Sequence, residues 1–250
     1  MIGCALVGYG TAFNWGWIHA RWIQAVEGLR LVAICTRTAE SAARARADWP
    51  HADTYTDLAE MLRRDDIDLV AVLTPHNTHA ALAIQCLQAG KHVLVDKPLA
   101  ITVQECTAMI DAAQRAKRTL AVFNNRRHDG NIRAIREIVE QGLIGEVFHV
   151  EFFVGGYWPH HAGPRPDPWR ADRAALGGIL YDWGGHAIDW FLTLIPSPVA
   201  QVSGYFHKLV WHDSNIEDQG RALIRFENGA VADMIVSSIA HLGKPQWYIL

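Results

Sequence analysis

Short, unbroken apolar runs alternate with segments of helical periodicity through the first half of the chain. Such runs are typical of parallel strands that helices cover on both faces. Alternating β and α units of this kind build a doubly wound α/β fold, which we predict over residues 1–123. The predicted strands are Met1–Val7, Leu31–Cys35, Leu69–Leu73, His92–Asp96 and Leu120–Phe123, and the predicted helices are Gly16–Val26, Ala39–Asp48, Thr56–Arg63, His76–Ala89 and Val103–Lys117.

Beyond Phe123 the pattern changes to longer strand-like runs. The tetrapeptide Glu227-Asn228-Gly229-Ala230 separates two of them, and Asn-Gly between apolar runs predicts an antiparallel hairpin. We therefore predict an α+β domain over residues 124–250 with a mostly antiparallel open sheet. Its predicted elements are a helix at Asn131–Gln141, strands at Val147–Gly155, Ala200–Val210, Gly220–Glu227 and Ala230–Ile239, a helical stretch around Gly177–Asp189, and the start of a strand at Gln246.

Composition narrows the possible partners and the compartment. The net charge is −3 and no dense Lys/Arg run occurs, so we expect no nucleic-acid partner. The four cysteines lie inside apolar stretches without a Cys-X-X-Cys pair, which indicates buried thiols in a reducing compartment. No basic segment precedes the first strand and no apolar run reaches membrane-spanning length. We expect a cytoplasmic protein with no membrane partner.

A glycine turn follows the first predicted strand and precedes a helix. Gly8-Tyr9-Gly10 lies where a Rossmann fold brings backbone amides at a helix N-terminus to a pyrophosphate. Phe13 replaces the third glycine of that motif, and Gly16 could restore the close approach after a short insertion. An ordinary strand–helix turn is the alternative, but the alternating β/α half favours a dinucleotide site. Its predicted contacts at the turn are Gly8, Gly10, Thr11, Ala12 and Phe13.

The end of the second strand bears on the choice of cofactor. Thr36 and Arg37 stand where NAD-binding proteins place a carboxylate for the ribose hydroxyl. A guanidinium there can receive a 2′-phosphate, so we favour NADP over NAD. The alternative is that Arg37 is a solvated surface charge.

Two clusters carry groups for proton chemistry. Lys97 follows the predicted strand His92–Asp96, at the edge where parallel sheets bind ligands, and could hydrogen-bond a substrate hydroxyl. The Lys97–Pro98 bond is a candidate for the cis form. In the predicted helix, Asp182, His186 and Asp189 share one face, with His186 as the proton acceptor. A surface lysine and a structural histidine are the respective alternatives.

Tryptophan and histidine are frequent around this second cluster. The chain has ten tryptophans, and Trp158, Trp169 and Trp183 lie beside glycine, proline, histidine, arginine or aspartate, as in a ligand pocket. His160 and His161 are adjacent in sequence, but their side chains would point apart, and no His-Glu-X-X-His pattern occurs. We predict no metal.

Four motifs occur in one order along the chain: Gly8-Tyr9-Gly10, Thr74-Pro75-His76-Asn77-Thr78-His79, Ala89-Gly90-Lys91-His92-Val93 leading to Asp96-Lys97-Pro98, and Gly177 through Asp189. With them the chain resembles the glucose–fructose oxidoreductase/inositol dehydrogenase/MocA family. The resemblance implies a catalytic set at Lys97, Asp182 and His186. It implies cofactor contacts at Thr74, Pro75, Asn77, His79, Asp96, Lys97, Asn125 and Arg126, and substrate contacts at Lys97, Trp158, Trp169, Arg170, Asp182, His186 and Asp189.

The function implied by the resemblance is NAD(P)-dependent hydride transfer to or from a hydroxyl-bearing carbon of a sugar, polyol or related small molecule. A nicotinamide-dependent glycosidase and a non-catalytic nucleotide or sugar sensor on the same fold are the alternatives. The resemblance also implies a homo-oligomer assembled through the open sheet of the second domain. Members of the family are longer, so we expect this sheet to lack its closing strands.

Overall fold

The computed structural model describes residues 1–10, 14–159 and 168–250. These residues form two compact units that divide after Phe123. The first contains a six-stranded sheet and the second a five-stranded sheet. The predicted α/β Rossmann fold followed by an α+β fold is confirmed.

The first unit is built from alternating strands and helices. Its elements are β1 (Ile2–Val7), α1 (Trp15–Ala25), β2 (Leu29–Cys35), α2 (Ala39–Asp48), β3 (Asp53–Tyr55), α3 (Leu58–Leu62), β4 (Leu69–Val72), α4 (His79–Gln88), β5 (His92–Asp96), α5 (Val103–Ala116) and β6 (Leu120–Phe123). A single 3₁₀ turn at His76–Thr78 precedes α4, where we predicted one continuous helix. The three-residue strand β3 was not predicted, because so short a run has no periodicity to detect.

All strand pairs of the first sheet are parallel, in the order β3-β2-β1-β4-β5-β6. The chain therefore reverses its winding direction between β1 and β4, and the carboxyl ends of these strands flank the position where such sheets bind ligands.

Residues at the helix ends set where the helices of this unit begin and end. Thr102 and Glu105 form a capping box at the start of α5, and Gly90 ends α4 with a φ of 79°.

The second unit carries one long helix on a mixed sheet. Its elements are α6 (Gly130–Glu140), β7 (His149–Gly155), α7 (Ile179–Leu194), β8 (Val199–His207), β9 (Gln219–Phe226), β10 (Val231–Ser237) and β11 (Trp247–Ile249). The sheet order is β11-β7-β10-β9-β8, with β7 and β10 parallel and the other pairs antiparallel. The predicted hairpin joins β9 to β10, and Gly229 takes a φ of 88° in its turn. Phe152, Phe191 and Phe226 fill the core between α7 and the sheet.

Strand β8 forms one edge of this sheet and exposes Val202, Tyr205 and Phe206. Oligomerisation through the sheet stays a prediction. Among the helices of the described residues, none has the length and apolar character needed to cross a membrane.

Three of the four cysteines are buried, and none of the four forms a disulfide. Burial raises the pKa of Cys35 to about 11 and that of Cys86 to about 12. Both are therefore protonated near neutral pH and act as small apolar core residues.

A buried histidine lies in an aromatic cluster on α1. The His19 ring is 3% exposed, edge-on to Trp15 and Trp22 at 5.1 and 5.0 Å and against Phe123 at 4.6 Å between ring centres. Its Nε2 has no hydrogen-bond partner among the described residues. Burial lowers the pKa of His19 to about 4, so the ring is neutral in the folded protein.

Replacing His19 is expected to flatten the acid side of the stability profile. The folded-state pKa is lower than the ordinary value of 6.5, so this proton binds preferentially to the unfolded chain and stability is lost as pH falls from 6.5 towards 4. The loss amounts to about 3 kcal/mol at the lower end. Urea unfolding at pH 7 and pH 4 should show a smaller loss for His19→Phe than for the wild type. Exposed His212→Phe is the control, and equal losses in all three proteins would contradict the assignment.

Candidate functional site

The turn after β1 brings the backbone of Gly8 against the end of β4. Gly8 has a φ of 107°, and a Cβ there would lie 2.8 Å from the Leu73 carbonyl oxygen. A Cβ on Gly10 would lie 3.1 Å from Ser41 Oγ, and one on Gly16 would lie 2.7 Å from the Gly8 carbonyl oxygen. Gly16 therefore makes the third close approach, as the sequence suggested. Such a glycine-lined turn at a helix N-terminus fits a pyrophosphate.

Side chains of α2 and its end hold this turn in place. The Tyr9 hydroxyl donates to Asp48 Oδ2 at 2.7 Å and accepts from Trp49 Nε1 at 2.9 Å. Arg44 donates to Asn14 Oδ1 at 3.1 Å, and Asn14 precedes α1 as its N-cap residue with a left-handed backbone. The predicted contacts Thr11, Ala12 and Phe13 lie outside the described residues.

The end of β2 places Thr36 and Arg37 beside the start of α2. Thr36 is buried and donates through Oγ1 to the Thr38 carbonyl at 2.9 Å. Thr38 in turn caps α2 by accepting from the Ser41 amide at 3.2 Å. Arg37 is exposed beside this ordered corner, a position compatible both with a 2′-phosphate contact and with a surface charge.

The turn after β4 contains the next group of predicted cofactor contacts. Thr78 Oγ1 donates to Thr74 Oγ1 at 2.6 Å and lies 2.7 Å from the Pro75 carbonyl, which closes the 3₁₀ turn. Asn77 is exposed on this turn, whereas His79 is fully buried at the start of α4. Of these residues, Asn77 presents its side chain to solvent and His79 faces the protein interior.

Lys97 follows the last residue of β5, at the carboxyl edge of the sheet. The Asp96 carboxylate accepts the Lys97 amide at 2.9 Å, and the Lys97–Pro98 bond is cis. Burial raises the pKa of Asp96, while the positive charge of Lys97 and the hydrogen bond from its backbone amide oppose that shift. The first unit therefore gathers its predicted polar residues at one edge of its parallel sheet.

In the second unit, α7 carries the predicted proton acceptor. His186 is 2% exposed, and its Nδ1 lies 2.8 Å from Asn124 Oδ1. An amide oxygen only accepts hydrogen bonds, so Nδ1 carries a hydrogen, and in the neutral ring the lone pair is then on Nε2. The Trp190 ring stacks on the imidazole, with 5.9 Å between the two ring centres. This arrangement fixes the tautomer that a general base acting through Nε2 requires.

Asp182 lies one turn earlier on α7 and is paired with Arg170 at 3.5 Å. The Arg170 guanidinium stacks over the Trp169 ring at 4.5 Å. A Cβ on Gly177 would lie 2.3 Å from the Arg170 carbonyl oxygen, so only glycine allows this segment to pass so close. The structure thus brings together three of the predicted substrate residues, Trp169, Arg170 and Asp182.

The segment that leaves the first unit also packs on α7. Arg127 Nε donates to both oxygens of Asp189, at 2.9 and 2.7 Å, and this ion pair raises the pKa of Arg127. Arg126 stacks over Trp183 at 4.5 Å and pairs with Asp129 at 3.0 Å. Substrate binding by Asp189 stays a prediction, because the structure shows its carboxylate engaged by Arg127. Cofactor binding by Asn125 and Arg126 also stays a prediction.

The two other tryptophans that the sequence analysis singled out, Trp158 and Trp183, have different surroundings. Trp158 is exposed beyond β7, and Trp183 packs partly against Phe152 at 6.2 Å, as a core-edge residue would. Among residues 1–10, 14–159 and 168–250, no group of three histidine, cysteine or acidic side chains is placed to hold a metal ion. His160 and His161 lie outside the described residues.

Two residues that support α7 were missed by the sequence analysis. Asn124 orients His186, and its position directly after a parallel strand was the available signal. Glu217 Oε1 accepts the Leu180 amide at 3.2 Å and so caps α7. A Cβ on Gly178 would lie 2.6 Å from Glu217 Oε1. Glu217 lies far from α7 in the sequence, and no local pattern could indicate the contact.

Two family models match the chain. Residues 2–124 match the oxidoreductase family model of the Gfo/Idh/MocA group, described as an NAD-binding Rossmann fold. Residues 132–250 match the model of the Gfo/Idh/MocA C-terminal domain.

Curated relatives include both oxidoreductases and a glycosidase. The chain is 31% identical over 221 residues to the uncharacterized oxidoreductase YdgJ of Escherichia coli, covering 84% of this chain and 61% of that protein. It is 29% identical over 199 residues to scyllo-inositol 2-dehydrogenase (NADP(+)) IolW of Bacillus subtilis, covering 80% and 53% respectively. It is 35% identical over 154 residues to alpha-N-acetylgalactosaminidase of Shewanella oneidensis, covering 58% and 34%. The chain thus spans less than two thirds of each relative.

Solved structures show the same architecture. An NAD-binding protein from Listeria innocua superimposes with a TM-score of 0.90 at 32% identity, over 100% of this chain and 70% of that one. GenD2 from gentamicin A biosynthesis, in complex with NAD, superimposes with a TM-score of 0.86 at 28% identity, over 97% and 67%.

Removing the hydrogen-bond acceptor of His186 tests the tautomer assignment. Asn124→Leu leaves the buried Nδ1–H without a partner, so we expect a loss of about 1–3 kcal/mol in unfolding free energy and a mixture of ring tautomers. Asn124→Asp keeps an acceptor and is expected to preserve the Nδ1–H form. Urea unfolding and ¹⁵N NMR of His186 measure the two effects. An unchanged tautomer in Asn124→Leu would show that Asn124 does not set it.

Proposed function

The chain belongs to the Gfo/Idh/MocA family of NAD-binding oxidoreductases, and from this premise we propose that it transfers hydride between a nicotinamide cofactor and a hydroxyl-bearing carbon of a sugar, polyol or related small molecule. The observation that carries the proposal is the His186–Asn124 hydrogen bond. It prepares a histidine for proton transfer on the helix where the family motif predicts one.

The first unit would hold the cofactor. At Gly8, Gly10 and Gly16 a Cβ would meet neighbouring atoms at 2.8, 3.1 and 2.7 Å, so these positions present bare backbone, which fits a pyrophosphate. The bound nicotinamide supplies or takes up the hydride. Arg37, exposed beside the α2 N-terminus, supports NADP as the preferred form, and the relative IolW is named as NADP-dependent.

The protein's own groups would handle the proton. In the oxidation direction, His186 Nε2 accepts the proton of the substrate hydroxyl as the C–H bond gives up its hydride. The Lys97 ammonium would donate a hydrogen bond to a substrate hydroxyl oxygen and stabilise negative charge that develops on it. Asp182, paired with Arg170, would accept a hydrogen bond from a second substrate hydroxyl.

The side chains around Asp182 support a polyhydroxylated substrate. The Arg170 guanidinium and the Asp182 carboxylate offer a donor and an acceptor side by side, as vicinal hydroxyl groups require. The Trp169 indole beneath Arg170 adds an aromatic face on which the C–H face of a sugar ring can pack.

Glycosidase activity is the second candidate function. It is supported by the relative named alpha-N-acetylgalactosaminidase, which is 35% identical to this chain over 154 residues. A glycosidase that oxidises its substrate transiently would release sugar from a glycoside without net change in NAD(P)H absorbance. A dehydrogenase would change that absorbance in proportion to turnover.

Substituting the proposed catalytic groups should separate chemistry from cofactor binding. For Lys97→Ala and His186→Ala we expect kcat to fall by about 10²–10⁴, because each removes a proton-transfer or charge-stabilising group. Nucleotide affinity should change little. Exposed Lys117→Ala and His212→Ala are the matched controls, and the assay is NAD(P)H absorbance with the sugar or polyol that a screen identifies. Full activity in either test variant would overturn the assignment of that residue.

Cofactor preference depends on Arg37. In Arg37→Ala we expect the Kd for NADPH to rise about tenfold, since a charge-assisted phosphate contact of about 1.4 kcal/mol is lost. The Kd for NADH should stay constant. Calorimetric titration with both nucleotides gives the two constants, and an equal change in both would identify Arg37 as a general surface charge.

A further inference from the structure

His79 has an unusual set of hydrogen-bond partners. The ring is 0% exposed at the start of α4. Its Nε2 lies 2.9 Å from the Thr74 carbonyl oxygen, and its Nδ1 lies 2.9 Å from the Pro98 carbonyl oxygen. Both ring nitrogens therefore face backbone carbonyl groups, one after β4 and one after Lys97.

Carbonyl oxygens only accept hydrogen bonds, so each ring nitrogen must donate to make both bonds. A neutral imidazole has one N–H and one lone pair. In the neutral ring, the lone pair would face a carbonyl oxygen at 2.9 Å in a site closed to water. The two electron pairs would repel each other, and the carbonyl oxygen would stay without a donor. A doubly protonated ring donates to both carbonyl oxygens and so matches the observed geometry.

The surroundings include a negative charge for such a cation. The Asp96 carboxylate is half-buried at the end of β5 and interacts electrostatically with His79. Among the described residues, the His76 ring lies edge-on to that of His79 at 5.7 Å between ring centres, and Lys97 follows Asp96 in the chain.

His92 in the same unit shows the opposite pattern. Its Nδ1 accepts a hydrogen bond from the Thr119 amide at 3.0 Å, so that nitrogen must carry a lone pair. Both His79 nitrogens therefore face hydrogen-bond acceptors, whereas His92 Nδ1 faces a donor. His92 provides an internal reference for a ring with an unprotonated nitrogen.

We propose that His79 is a buried imidazolium that ties the turn after β4 to the backbone after Lys97 and so positions the Lys97 side chain. Because both ring nitrogens are used within the protein, His79 acts on the ligand only through Lys97 and the Thr74 turn. It is a positioning residue. Its effect on turnover rests on the proposed function, whereas its protonation does not.

The protonation is read directly from ¹⁵N-labelled wild-type protein. Long-range ¹H–¹⁵N spectra at pH 7 should place both His79 nitrogens in the protonated range, with His92 Nδ1 in the unprotonated range of the same spectrum. Contacts from the ring protons to Thr74 and Pro98 assign the signals without a variant. A His79 nitrogen in the unprotonated range would overturn the proposal, whether or not the protein turns over any substrate.

Two variants test the positioning. His79→Gln keeps an amide donor and His79→Leu keeps none, so we expect kcat to fall about tenfold in the first and further in the second. At matched urea unfolding midpoints, the KM of the substrate should change less than kcat, and His79→Gln should keep more activity than His79→Leu, a split that general loss of structure would not give. An unchanged kcat in folded His79→Leu would refute positioning. Absence of turnover in the wild type would instead count against the proposed function and leave the NMR result standing.

Discussion

The close contact between the turn after β1 and the end of β4 is the constraint on which the rest of the first unit depends. A Cβ on Gly8 would lie 2.8 Å from the Leu73 carbonyl oxygen, so the two strand ends approach as closely as backbone allows. This approach places the start of α1 at the position where the sheet reverses its winding direction. The Tyr9–Asp48 hydrogen bond and the Trp49–Tyr9 hydrogen bond then hold Tyr9, between the two glycines, against the end of α2.

In the second unit, hydrogen bonds of side chains, rather than close backbone contacts, hold the candidate site. The segment after β6 contacts α7 at successive turns, through Asn124 on His186, the Arg126 carbonyl on Trp190 Nε1, and Arg127 on Asp189. These contacts orient a buried imidazole whose tautomer would otherwise be free to change. The proposed chemistry therefore depends on a few polar contacts between neighbouring elements and on a helix packed firmly against its sheet.

Most of the fold and part of the candidate site could be predicted from the sequence. Unbroken apolar runs and the Asn228-Gly229 turn indicated both sheets, because their signals lie within a few residues of one another. The contacts of Asn124 with His186 and of Glu217 with Leu180 join residues 62 and 37 positions apart. The place of Asn124 after a parallel strand marks it as a candidate residue, but no local pattern encodes the partner of either side chain. For the same reason, the sequence placed Asp189 among the substrate ligands without revealing Arg127 as its partner.

Titration of the purified chain with NADPH and NADH, followed by energy transfer from tryptophan to the nicotinamide, tests the central claim most directly. The glycine turn of the first unit should give saturable binding of at least one nucleotide, and Gly16→Val should abolish it, since a side chain there meets the Gly8 carbonyl oxygen. Absence of binding by the wild type, or equal binding by Gly16→Val, would contradict the assignment of this turn as the cofactor site.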